Sequence, residues 1–512
     1  MSAHRLAAPI QAKCVPPLST KALIGGTRCP HRVLNRTLSN QPDGNIGLHH
    51  SLNPYGFALA VRIAAALLAG TLEAAQAPVT SPSPRPNILF IMADDLGYAD
   101  LGCFGQTKIR TPNLDRLATQ GTRFTDVYAG AAVCAPSRGV LMTGLHTGHG
   151  RIRGNSPKVG GEIEEFGEGG RRLSLTNEDR TVAEALHDAG YVTGAIGKWG
   201  LGEPGTAGTP NRRGFDEWYG YLNQNHAPYY YTDYLWRNDR KEPIPENSGG
   251  KRGRYSHDLL TDEAVAFLRR NREKTFFLYL PFTIPHKRFE VPSLESYAQE
   301  DWPAEAKIYA AMVTRLDRDV GRVLAELERL GLAKNTVVFF TSDNGADKKS
   351  FGNLFQSCGP LRDAKGSLYD GGIRVPMIVR WPGVTPAGRV SGAPWGFVDI
   401  FPTFLAMAGG DPAGKTLDGL NLLPTLRGEE QPLLTGRHLY WEDPGKQFWQ
   451  AVRRGNWKVV RAGKRAPLAL YDLSKDKGES RDVAASHPDV VADFERFLAT
   501  ARVPSPHWPD EN

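Results

Sequence analysis

Cysteine is scarce in this chain: Cys14, Cys29, Cys103, Cys134 and Cys358 are the five among 512 residues. So few cannot staple a chain of this length, so a disulfide-built scaffold is excluded and an apolar core must carry the fold. Long apolar runs are missing too. The best candidate, inside "VRIAAALLAGTLEAAQA" (Val61–Ala77), is far too short to span a bilayer. No internal repeat is evident, which argues against a solenoid or propeller. Excess charge is also absent where it would matter. The net charge is +7, yet residues 1–77 hold seven Lys/Arg against only Asp43 and Glu73, and 55 basic face 53 acidic residues beyond them. A nucleic-acid binder needs a basic face rather than a basic leader, so that class is set aside.

The leader has the parts of a secretory signal: Arg62, a short apolar run and the small-residue site Ala75-Gln76-Ala77, followed by the linker "PVTSPSPRP". Residues 1–56 show no sustained periodicity, so the true start is expected near Val61. The expected division is a leader over 1–77, a linker over 78–86, a catalytic domain over 87–435 and a C-terminal subdomain over 436–512. Export to the periplasm or the medium follows from this reading. Removing the leader leaves Cys103, Cys134 and Cys358, an odd number; Cys103 and Cys358 could pair, although nothing requires it.

From Pro86 onward the pattern is α/β. "NILFIM" (Asn87–Met92) is a continuous apolar run suited to a strand buried on both faces. "TPNLDRLATQG" reads as a helix with Thr111 as cap, Pro112 in the first turn and Gly121 as stop. Helix "TVAEALHDAG" precedes strand "YVTGAIG", helix "HDLLTDEAVAFLRRNR" precedes "FFLYLPF", and a long helix from Ala304 to about Leu332 precedes "TVVFFTS". This alternation predicts a large, mostly parallel sheet sandwiched by helices. After about Gly436, "QAVRRGNWKVVR" and "LALYDL" read as short antiparallel strands and "PDVVADFERFLATAR" as a closing helix, giving a smaller α+β domain. The polar stretches Gly160–Arg172 and Arg237–Arg254 are expected to be surface loops.

Chemistry in such folds gathers beyond the carboxyl ends of strands. "FIMADD" ends in Asp94 and Asp95, "FFTSDNG" in Asp343 and Asn344, and "TGAIGKWG" near Lys198. Two acid-bearing pairs would repel if they converged without a cation, and carboxylate and amide oxygens suit a hard ion such as calcium or magnesium. Each pair alone reads as an ordinary cap or turn; together, at the ends of two apolar strands, they point to a metal site. Cys134 in "AAVCAPSRGVLMTG" lies just before an expected helix, "SRGVLMTG", whose amino end favours an anion, with Arg138 adding a permanent cation. Taken alone, Cys134 reads as a buried structural cysteine.

The ordered set of motifs changes that reading, because the chain resembles the type I sulfatases. "CAPSR" (Cys134–Arg138) matches the family's Cys-x-Pro-x-Arg signature and is followed by "LMTG". "ADDLGYADLGCFG", "GKWGLG", "PFTIPH", "TSDNG" and "KGSLYDGGIRVP" match its further motifs in order, and "LALYDLSKDKGESRDVA" its closing one. The resemblance implies the alkaline-phosphatase-like fold and a sulfatase activity. It also implies conversion of Cys134 to formylglycine by a maturation enzyme. The hydrated aldehyde is a geminal diol, one hydroxyl attacking sulfur and the other expelling sulfate afterwards. One calcium ion is implied, held by Asp94, Asp95, Asp343, Asn344 and residue 134. Arg138 is implied to steady the formylglycine, Lys198 and Lys365 to neutralise sulfate, and His286 to protonate the leaving alkoxide.

One departure stands out. The family commonly has Gly-Lys-Trp-His, whereas this chain has Gly197-Lys198-Trp199-Gly200, and the absent imidazole normally contacts the formylglycine hydroxyl. His226 in "NQNHAPYY" is the expected substitute, ahead of His146 and His149. Asp370, where glutamate is usual, reads as structural. Tyr229, Tyr230, Tyr231 and Trp236 could stack on a sugar or form a packed patch. Two rival functions remain in view: a phosphodiesterase or phosphonate hydrolase of the same superfamily, and a silent sulfated-glycan-binding protein. The few histidines near the metal motifs argue against the first and the intact Cys134 signature against the second.

Overall fold

The computed structural model describes residues 85–164, 171–347, 351–413, 416–445 and 447–509. The expected leader and linker therefore lie outside the described residues, apart from Arg85 and Pro86. Ten strands build the main sheet: β1 (Asn87–Ala93), β2 (Thr122–Tyr128), β3 (Val192–Lys198), β4 (Glu217–Tyr221), β5 (Tyr234–Arg237), β6 (Arg240–Pro243), β7 (Phe276–Pro281), β8 (Thr336–Ser342), β9 (Arg374–Arg380) and β10 (Arg389–Ser391). Their spatial order is β10-β2-β9-β8-β1-β7-β3-β4-β5-β6, and the two-residue strand Trp395–Gly396 pairs with β2 as an eleventh. The five central strands, β8 to β4, run parallel. β9 is antiparallel to both of its neighbours, and β5 and β6 close the far edge as an antiparallel hairpin.

Strand β1 shows why its sequence is apolar without interruption. Ile88, Phe90 and Met92 enter one core, whereas Leu89, Ile91 and Ala93 enter another on the opposite face. The first core packs against the helices Cys134–Thr143 and Ile400–Met407, the second against Ser256–Arg270 and Ala304–Arg329. A strand covered on both faces has no solvent side to mark with polar residues. The helix Val182–Asp188 starts with a capping box, in which the Thr181 hydroxyl accepts from Glu184 N and the Glu184 carboxylate accepts from Thr181 N.

Among the described residues the structure departs from the sequence pattern in four places; one is the short antiparallel pair Ile163–Glu164 with Arg171–Arg172 inside the expected loop Gly160–Arg172. The helix expected from Ser137 begins at Cys134, because Pro136 falls in the first turn, where its missing N–H costs no intrahelical bond. Part of the expected loop Arg237–Arg254 is the edge hairpin β5–β6, with the cation of Lys241 over the rings of Tyr234 and Trp236. Cys103 and Cys358 are both free thiols, not a disulfide.

Beyond the main sheet, four antiparallel strands, Leu439–Asp443, Trp449–Arg454, Trp457–Ala462 and Ala469–Asp472, form a second sheet, and the helix Pro488–Leu498 packs on it through Phe494 and Leu498. A buried charge cluster ties this sheet to the main one. Lys458 Nζ lies 2.6 Å from Asp370 Oδ1 and 2.8 Å from Glu479 Oε1, and Arg374 Nη1 lies 3.2 Å from Asp370 Oδ2. Asp370 therefore sits in a structural network.

Candidate active site

The parallel register of β1 and β8 sets Ala93 opposite Ser342, so the residues that follow each strand meet. Those residues are Asp94-Asp95 and Asp343-Asn344, all four at most 1% exposed. Asp95 turns in the left-handed region at φ 64°, and its amide donates to Asp343 Oδ1 (3.2 Å). Asn344 Nδ2 donates to Asp95 Oδ1 at 2.8 Å. Lys198 closes β3 and places Nζ 2.6 Å from Asp94 Oδ2. Lys365 reaches Asp95 at 2.6 Å and also donates to Cys134 Sγ at 3.5 Å, its loop pinned by Lys365 N to Ala346 O and Gly366 N to Ala132 O. Cys134, the first residue of its helix, donates its thiol to Asp94 Oδ1 at 3.5 Å. His286 follows β7 and sets Nε2 3.5 Å from Asp95 Oδ2.

Arg138 lies one turn into the Cys134 helix and is 1% exposed. Its guanidinium donates to Asp343 Oδ2 from Nε (3.1 Å) and Nη2 (2.7 Å), and to Lys198 O from Nη1 (2.7 Å). It ties β3, β8 and the Cys134 helix into one rigid floor.

Three carboxylates and three cations thus interlock out of water. Burial alone would raise the acids, but Lys198, His286 and Arg138 hold Asp94 below its ordinary range, as Lys365 and His286 do for Asp95. Burial pushes the Cys134 thiol up to about 12 despite both lysines. It also keeps His286 below the usual imidazole value, against the pull of Asp95 and Asp94.

The oxygen donors here, the carboxylates of Asp94 and Asp95 with Asn344 Oδ1, fit a hard cation, whereas the Cys134 sulfur and the His286 nitrogen beside them are softer donors. Single ligand atoms from Asp94, Asp95, Cys134 and His286 lie within 4.8 Å of one another. Asn344 Oδ1 is buried beside them with no hydrogen-bond donor. An orphaned carbonyl oxygen next to clustered carboxylates is what an oxygen-seeking ion satisfies.

Above this floor opens a cavity of about 670 Å³ whose wall includes Cys134, Lys198, His286 and Lys365. Residues 64 to 231 positions apart in sequence thereby share one space. The wall also holds Asn155, Arg172, Gln224, Asn225, Lys287 and Arg288, none of which the motifs single out. Lys287 and Arg288 are adjacent to His286 in the sequence, and Gln224 lies in the stretch quoted for His226. Among the four aromatic residues named from sequence, Tyr229 lines the cavity, with the Arg288 guanidinium 3.6 Å over its ring centre. Tyr230 is buried beneath, its hydroxyl donating to His286 O at 2.7 Å. Tyr231 lies against Tyr255, and Trp236 against Tyr234.

The structure does not bring His226 to the cavity. Its ring is enclosed by Tyr221 and Tyr234 at 4.9 and 4.6 Å, with Nε2 2.6 Å from Thr232 Oγ1. That cage supplies its own hydrogen bond and leaves the imidazole 2% exposed, off the cavity wall. His146 and His149 are elsewhere as well, stacked at 4.1 Å with His149 Nδ1 2.8 Å from Asp418 Oδ1.

Acid groups converging from adjacent parallel strands, under a cavity lined by cationic side chains, make a site suited to a divalent cation and an anionic group. Residues 86–410 match the Sulfatase family, and residues 363–502 match the family described as N-sulphoglucosamine sulphohydrolase, C-terminal. Steryl-sulfatase of Mus musculus is 31% identical, across 83% of this chain and 82% of its own length. N-acetylgalactosamine-6-sulfatase of Canis lupus familiaris is 34% identical, across 76% and 73%. The crystal structure of Ps i-CgsB in complex with k-i-k-neocarrahexaose superposes with a TM-score of 0.71 at 30% identity, covering 84% of this chain and 95% of that one. The chain belongs to the sulfatase family and is a sulfuric ester hydrolase.

Proposed function

We propose that the protein is an exported, calcium-dependent sulfatase that uses formylglycine at position 134 to hydrolyse sulfate esters of glycans. The observation that carries this reading is the meeting of Cys134, Lys198, His286 and Lys365 in one cavity wall above the Asp94–Asp95–Asp343–Asn344 floor. A thiol held near 12 is protonated at neutral pH and is a poor nucleophile, so position 134 needs chemistry that its cysteine does not supply. Formylglycine, when present, would supply a hydrated aldehyde with two hydroxyls. Calcium, when bound by the floor carboxylates, Asn344 Oδ1 and residue 134, would supply electrophilic stabilisation of sulfate oxygen.

The chain's own residues do the rest. Lys198 and Lys365, both on the floor and in the wall, balance the charge of the sulfate group as it is transferred. His286 is braced by its Nδ1–H donating to Lys287 O at 3.2 Å, which leaves Nε2 free to take up a proton and pass it to the leaving oxygen. Arg138 is a positioning residue, fixing Asp343 and the carbonyl of Lys198. The cavity is within the size range of small-ligand sites, and Tyr229 offers a ring face at its wall. The carrageenan-oligosaccharide complex of Ps i-CgsB and the N-acetylgalactosamine-6-sulfatase relatives support a sulfated sugar as substrate. Among the described residues no helix is long and apolar enough to cross a membrane. The proposed signal ends near Ala77, and N-terminal sequencing of protein from its host should find no residue before that point.

The test is co-expression with a formylglycine-generating enzyme and mass spectrometry of the peptide containing Val133–Arg138. A screen of sulfated mono- and oligosaccharides follows, with aryl sulfates and phosphodiesters as controls. Turnover of sulfated sugars with an aldehyde at residue 134 is expected. Full turnover with an unmodified thiol would refute the formylglycine assignment, and preference for phosphodiesters would favour the rival hydrolase.

A further inference from the structure

Gln224 is 5% exposed and stands in the cavity wall with Cys134, Lys198, His286 and Lys365. Its Nε2 is buried without a hydrogen-bond partner. A buried amide donor left unpaired costs about 1–3 kcal/mol, and folded proteins rarely keep one without a reason. The backbone opposite is packed closely against this side chain. Gly200, two residues beyond Lys198, adopts φ +80°, and a Cβ there would lie 2.5 Å from Gln224 Cγ and 2.8 Å from its Nε2. Gly200 is itself held by its N–H donating to Leu222 O at 3.0 Å, so it cannot simply swing away. The glycine is what lets the amide occupy that space. An amide also brings a donor without adding charge to a site that already holds two lysines, and it cannot take up a proton at ordinary pH.

We propose that Gln224 is a further substrate-contacting residue, its Nε2–H donating to an oxygen of the sulfate ester, and that residue 200 is glycine to make room for it. This rests on the sulfatase reading above. It gives the position left by the absent side chain at 200 to a hydrogen-bond donor rather than to a second base.

The experiment compares wild type, Gln224→Leu, Gln224→Ala, Gln224→Glu, Gly200→Ala and the Gln224→Ala/Gly200→Ala double variant, each with aldehyde content at residue 134 verified by mass spectrometry. Three quantities are read: thermal midpoint, inhibition by inorganic sulfate, and kcat/KM on a sulfated sugar that the wild type hydrolyses. Gln224→Leu should keep or raise the midpoint, since it removes an unpaired buried amide. It should lower kcat/KM and weaken sulfate inhibition by about 10–100-fold, the range for one hydrogen bond to a charged group. Gln224→Glu should fall further, because a carboxylate would face the sulfate. Gly200→Ala should lose activity by displacing the amide, and the double variant should be no worse in kcat/KM than Gln224→Ala alone, since alanine at 224 removes the Cγ and Nε2 that the new Cβ would meet. Wild-type kcat/KM and sulfate inhibition in Gln224→Leu would overturn the proposal. So would a midpoint that drops with activity in step, which marks a structural residue. A wild type that hydrolyses no sulfate ester would instead overturn the sulfatase reading, and this inference with it.

Discussion

Replacing His226 with phenylalanine separates its structural part from any part in the reaction. The imidazole is 2% exposed, and burial lowers its pKa to about 4, with Lys241 pushing the same way. The folded protein therefore holds it neutral while the unfolded chain protonates it near 6.5. A base with a depressed folded-state pKa contributes stability that is complete above pH 6.5 and is lost as pH falls toward 4. The gap corresponds to about 3 kcal/mol, at about 1.4 kcal/mol per unit. Phenylalanine keeps an aromatic ring between Tyr221 and Tyr234, removes the titrating group and gives up the bond to Thr232, which still donates its hydroxyl to Tyr234 O at 3.0 Å. At pH 7.5 His226→Phe should cost only about 1 kcal/mol. Between pH 6.5 and 4 the variant should lose stability less steeply than wild type, by up to that 3 kcal/mol. Urea unfolding at pH 7.5, 6.0, 5.0 and 4.5 reads both numbers, and turnover of folded enzyme at pH 7.5 should be close to wild type. Parallel acid slopes would refute the buried-neutral assignment. A 10²-fold or greater loss of turnover with the fold intact, the scale of losing a general base, would return His226 to the reaction.

Cys134→Ala should abolish turnover while moving stability by no more than about 1 kcal/mol, since it removes one sulfur atom; activity assay and thermal melting check both. Asp343→Ala should do more than lose metal. It leaves the Arg138 guanidinium buried without its carboxylate, a change that costs about 3–5 kcal/mol, whereas Asp343→Asn should keep the fold and still lose the cation by elemental analysis. Lys458→Met should also cost about 3–5 kcal/mol by leaving Glu479 buried without its cation and Asp370 with Arg374 alone, lowering the thermal midpoint without altering the metal content. Elemental analysis of wild type should find one divalent cation per chain; two tightly held zinc ions would favour the phosphodiesterase rival.

The central strands were legible because burial on both faces leaves an unbroken apolar run, and β8 spans the same residues as its sequence pattern, Thr336–Ser342. The edge hairpin β5–β6 was not. Arg240, Lys241 and Pro243 are exposed, as suits an edge strand, and such strands carry charge and proline where alternation would otherwise show. The two acid pairs could be read as polar strand ends. Their convergence depends on β1 and β8 being neighbours in parallel register, which no local pattern encodes. Lys198, His286 and Lys365 each look like ordinary surface residues alone, and only their ordered motifs marked them.

The stretch "NQNHAPYY" shows where residue type misleads. A histidine in an aromatic-rich segment with no assigned structure invites a catalytic role, because imidazole is the side chain that titrates nearest neutrality. The same tyrosines that made the segment conspicuous instead enclose the ring, and Thr232 satisfies its nitrogen. Gln224, two positions earlier, has no titration and no motif, so nothing in its chemistry draws notice. What distinguishes it is relational: a cavity-wall amide without a partner, facing a glycine whose backbone only a missing side chain allows. Neither half of that relation is visible at either position alone. A side chain lost at one strand end and an amide supplied from a loop 24 residues away are therefore best treated as one substitution, to be mutated together.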